Sequence, residues 1–108
     1  MALPHAAPGA AIAVLRTGDD FSRFTSQALA KTSELELIRL ILPKGKAMPE
    51  HHVAGEITLF CLRGEIAVDV HGAATILQAG EMLYLSGGQA HALHAVQDAL
   101  VLLTILLV

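Results

Sequence analysis

Six histidines are unevenly placed in this chain of 108 residues. His51 and His52 are adjacent, His91 and His94 stand three apart, and His5 and His71 are isolated. An imidazole transfers protons near neutrality, ligates metals through either nitrogen, or anchors a polar ligand. Which role is open depends on the face that each ring occupies. Positions three apart on a strand point to opposite faces, so His94 reads as a surface or interface residue if His91 faces inward. His71 closes the polar side of an alternating run and His5 sits in a loose terminus, so both read as solvated, as does Glu50. Cys61 shares parity with Ile57 and Leu59, which turns it toward an apolar interior as packing rather than as a nucleophile. Tyr84, among Met82, Leu83 and Leu85, either offers a hydroxyl to a cavity or packs in the core. No Ser-His-Asp order, phosphate-cradling glycine loop or cysteine pair suggests another enzyme class.

The elements that must position these groups are short and apolar. Runs at 35–42, 57–62, 66–70, 74–78, 82–85, 92–96 and 99–108 have the branched, alternating character of strands. Turn sequences separate them: Pro43-Lys44-Gly45, Arg63-Gly64-Glu65, Gly72, Ala79-Gly80-Glu81, Gly87-Gly88 and Gln97-Asp98. Residues 1–34 read as an N-terminal arm. Within it, 11–15 form a short edge strand, Gly18-Asp19-Asp20 is a turn and helix cap, and 26–31 form a short helix. Residues 35–108 make the body of a single domain. Strands joined by glycine turns, with no long helix between them, imply an all-β sandwich or barrel rather than βαβ units.

The glycines also keep a register. Gly45, five residues, His51, one residue, Val53, three residues, Ile57, six residues and Gly64 form one frame. Gly80, five residues, Ser86, one residue, Gly88, two residues, His91, three residues and Ala95 form a second. Together they resemble the two motifs of the cupin superfamily, in the right order, over residues 43–108. The resemblance implies an antiparallel cupin-type β-barrel or jelly roll, with at most a short helix near the N-terminus. In metal-binding cupins three His and one Glu hold a divalent metal inside the barrel. By position, His51 and His91 are kept, whereas Val53, Ile57 and Ala95 replace a His, the Glu and an Asn. A bulge near Gly55 would turn His52 or Glu56 inward, giving a metal set of His51, His52, His91 and Glu56. Without it, Val53 and Ile57 line an apolar pocket with Leu59, Cys61, Tyr84 and Leu93, and the two histidines stand at its rim.

Composition bounds the rest. Hydrophobic residues make up 54% of the chain and charged residues 16%, more apolar surface than one subunit hides, which points to a homodimer. The formal net charge is −3, and Lys44 with Lys46 is too small a basic cluster for nucleic acid. The apolar C-terminal run is about half the roughly 20 residues that a membrane helix needs. The start carries no basic residue and is broken by Pro4, Pro8 and Gly9, unlike a signal peptide. A single cysteine fits a reducing compartment, hence a cytoplasmic protein. The resemblance then implies three functions. The first is a small-ligand-binding cupin with a degenerate metal site. The second is a cupin enzyme using one divalent transition metal on His51, His52 and His91: a dioxygenase, isomerase or decarboxylase acting on a small acid. The third is a structural or regulatory dimer.

Overall fold

Alternation of buried and exposed side chains sets the architecture. In Ile57–Arg63 the residues at 57, 59 and 61 are buried and their neighbours at 58, 60 and 62 are only half-buried, as a strand with one face on a core requires. The computed structural model describes residues 5–108. Their regular structure is nine strands, with no helix among the described residues: β1 (Thr25–Lys31), β2 (Leu35–Leu42), β3 (Ala47–His51), β4 (Ile57–Arg63), β5 (Glu65–Val70), β6 (Ala73–Gln78), β7 (Met82–Leu85), β8 (His91–Ala95) and β9 (Ala99–Leu106). They form an antiparallel five-stranded sheet, β1-β2-β9-β4-β7, and an antiparallel four-stranded sheet, β3-β8-β5-β6. The fold is all-β. Leu40, Leu42, Leu59, Ile66, Val68 and Val101 meet between the sheets, each burial stabilising the fold by about 1.5–3 kcal/mol.

Three local expectations are corrected. Residues 26–31 are not a helix but lie within β1, which pairs with β2 from Thr25↔Ile41 to Lys31↔Glu36. The apolar partner surface of β2 overrides a weak helical preference. Residues 11–15 form no strand; they belong to an arm laid over the outer face of the five-stranded sheet. Arg39, on that face, donates from Nε to the Val14 carbonyl (2.8 Å) and from a terminal nitrogen to Asp19 (2.7 Å). Both partners of this ion pair are buried. Nor is Asp20 a helix cap: its carboxylate accepts the Ser22 amide in a tight turn (2.9 Å).

Gly64 shows why the glycine frame matters. Its φ is +76°, and a Cβ there would overlap the Asp98 carbonyl, so only glycine fits between β4 and β5 without strain.

Candidate functional site

β3 and β8 bring two histidines together. Met48 pairs with Leu93 and His51 with His91, so three residues on β3 span what two residues cover on β8. The extra residue is a β-bulge at Pro49-Glu50. It restores His51 to the face shared by Met48, Leu93 and His91, a face that strict alternation would have denied it. Pro49 has no N–H for the ladder and is tolerated because β3 is an edge strand. The bulge expected near Gly55 is therefore at a different place, and it turns His51 inward rather than His52 or Glu56.

The two rings lie 4.4 Å apart, centroid to centroid, tilted by 56°. His91 is 3% exposed, whereas His51 opens to solvent. Each ring is oriented by backbone two residues before it: His51 Nδ1 donates to the Pro49 carbonyl (3.1 Å) and His91 Nδ1 to the Gln89 carbonyl (3.0 Å). A carbonyl only accepts, so Nδ1 carries the proton in both neutral rings and both Nε2 atoms keep a lone pair. Two loops frame this mouth. The Gly88 amide donates to the Val53 carbonyl (2.8 Å), and a Cβ at Gly87 would press on the Ala54 carbonyl.

The other residues of the expected site are distributed elsewhere. His52 and Glu56 are exposed, Val53 is half-buried, and Ile57 is buried. Among the described residues, no three of His, Cys, Asp and Glu stand close enough to hold a metal ion. Two imidazoles, with aliphatic Val53 and Ile57 at the other expected donor positions, do not fit the closed three- or four-donor set that a resident divalent metal requires. Leu59, Cys61 and Leu93 are part of the packed core. Burial pushes the Cys61 thiol up from its ordinary pKa, and its Sγ donates to the carbonyls of Arg63 and Gly64. Tyr84 does not face the lumen. It pairs with Thr58 on the outer face of the five-stranded sheet and is 71% exposed, because Leu83 and Leu85 take the inward parity of β7. There it lines a concavity of about 220 Å³ with Glu56, Thr58, Thr104 and Leu106.

A second concavity, of about 320 Å³, adjoins the histidine pair. It follows β3 and is lined by Phe24, Lys46, Ala47, Met48, Pro49 and His51. Lys46, Met48 and Phe24 were not among the expected site residues. The signal available was spacing: Lys46, the residue before β3, and Met48 within it are two apart.

Comparison with known proteins agrees with this architecture. Residues 38–107 match the cupin domain family. No curated protein matches the chain in sequence. A cupin superfamily protein from Desulfitobacterium hafniense superposes with a TM-score of 0.77 at 18% identity, covering 81% of this chain and 80% of that one. An RmlC-like cupin from Desulfovibrio desulfuricans gives 0.73 at 24% identity, over 98% and 97% of the two chains. KdgF from Halomonas sp. gives 0.71 at 18% identity, over 77% of each. These structures share the fold, and the matched span covers both glycine frames and the two facing histidines: the chain belongs to the cupin family.

Proposed function

We propose that this cupin binds a small organic molecule at the barrel mouth through His51 and His91, without a resident metal. The observation that carries the reading is the pair of carbonyl-anchored rings. Each backbone bond fixes a tautomer and leaves an Nε2 acceptor, so a hydroxyl or amide donor of a ligand meets two pre-oriented partners. Aliphatic Val53 and Ile57, at positions where the metal-binding relatives place donors, support the same reading. The experiment is a fragment screen read on the imidazole and methyl resonances of His51, His91 and Met48. Saturable shifts in these three are expected. A screen that moves none of them contradicts the proposal. So does protein that retains one equivalent of zinc, iron, manganese, nickel or copper after dialysis and loses it in His51→Ala.

Self-association is part of the proposal. Met82 and Tyr84 on β7 and Leu106 on β9, the two strands that flank β4 in the five-stranded sheet, are 52%, 71% and 44% exposed, and a second copy is the proposed cover for them. Light scattering at micromolar concentration is expected to give a dimer mass, and Tyr84→Asp a monomer. A monomeric parent protein would refute the assembly.

A further inference from the structure

The concavity along β3 carries a charge that points to a class of ligand. β3 is an edge strand of the four-stranded sheet and β1 an edge strand of the five-stranded one. The groove has Phe24, the residue before β1, on one side and β3 on the other. Lys46 is held at the foot of β3 by two backbone bonds: its amide donates to Pro43 (2.9 Å), and its carbonyl accepts the Ala95 amide (2.9 Å). Its ammonium sits 5.3 Å from the centroid of the Phe24 ring, an arrangement that steadies a long side chain at the groove's edge. The only ion pair among the described residues is Arg39–Asp19, so no carboxylate of the described residues neutralises Lys46. The remaining walls, Ala47, Met48 and Pro49, are apolar, and His51 closes the far end.

We infer that this groove binds an organic monocarboxylate with an apolar body, its carboxylate on Lys46, its body on Phe24 and Met48, and its far end against His51. This rests on the ligand-binding reading of the mouth, because His51 belongs to both. A single positive charge matches one carboxylate. A dianion would bring its second charge toward the end of β3, where Glu50 is exposed next to His51. A volume of about 320 Å³ lies at the small end of ligand sites, which suits a molecule the size of benzoate or hexanoate.

The test uses the full chain with benzoate and hexanoate as probes, and benzamide and hexanamide as neutral counterparts of the same shape. Titrations are followed on the methyl resonance of Met48 and the ring resonances of Phe24, His51 and His91. The carboxylates are expected to bind at least ten-fold more tightly than the amides. Lys46→Gln should remove that preference while leaving the resonances of β8 and the thermal midpoint unchanged; a charge-assisted hydrogen bond of ordinary strength gives about this factor. Amides that bind as well as acids, with the His51 and His91 rings shifting and Lys46→Gln without effect, overturn the monocarboxylate and leave the mouth reading standing. Acids that shift Phe24 and Met48 while both histidine rings stay silent through this titration and the fragment screen uphold the charge recognition and overturn the mouth reading. If neither acids nor amides move any of these resonances, the groove proposal is overturned.

Discussion

At the residue scale, the informative groups are those whose neighbours decide their chemistry. His51 and His91 differ in exposure yet share one anchoring pattern, a backbone carbonyl two residues earlier in the chain. Proximity alone would leave their tautomers open; the carbonyls close that question. Cys61 shows the opposite case. Its sulfur is wholly buried, and desolvation holds the thiol protonated at neutral pH, which removes the thiolate that alkylation needs. Native protein is therefore expected to resist iodoacetamide at pH 8 and to take up one equivalent in guanidinium chloride. Rapid labelling of folded protein would show that β4 opens readily. The sequence made this residue legible, since its parity with Ile57 and Leu59 is the parity of the core. Tyr84 was not, because every neighbour in β7 is apolar and composition cannot say which parity faces in.

At the scale of elements, the bulge in β3 determines whether the site exists. Seven of the strands were legible as apolar runs between turn residues, several to within one residue of their observed ends. β1 and β3 were not, for different reasons. β1 has small and polar residues that its pairing with β2 overrides. β3 is a five-residue edge strand containing Pro49, so neither alternation nor β-propensity marks it. Alternation alone does not give the direction of His51, whose inward turn depends on one unpaired residue; the glycine frame is what marked it. Deleting Glu50 would restore strict alternation and send the ring outward. The deletion variant is expected to lose the mutual ring-current shifts of His51 and His91 and all ligand response at His51, while the β4–β9 amides keep their positions. Unchanged His51 and His91 shifts would show that the bulge is not what turns the ring.

At the scale of the whole molecule, the arm that precedes β1 lies over the outer sheet face at Arg39, while Met82, Tyr84 and Leu106 stay exposed. Arg39 is the peg: a guanidinium under the arm, bonded to Val14 and Asp19. Its hydrogen bond holds the Asp19 carboxyl below its ordinary pKa of 3.8. A group with a lowered folded pKa stabilises the fold above its unfolded value and loses that contribution as pH falls through the folded one. Thermal midpoints are therefore expected to fall below about pH 4, and Asp19→Asn should flatten that acid limb. The variant should also lose about 1–3 kcal/mol at neutral pH, since Arg39 loses its charged partner and keeps only the Val14 carbonyl. An unchanged acid limb would assign the acid sensitivity to other carboxylates. Nothing in the sequence predicted this pair, because twenty residues and a change of layer separate Asp19 from Arg39.

Imidazole nitrogen spectroscopy at about pH 8.5, a pH above the ordinary imidazole range, tests the site most directly. Two-bond correlations should assign both His51 and His91 as the Nδ1-protonated form, with the Nε2 resonances moving when a bound fragment donates a hydrogen bond. Protonation at Nε2 in either ring would remove that acceptor and contradict the account of how this barrel mouth recognises a ligand.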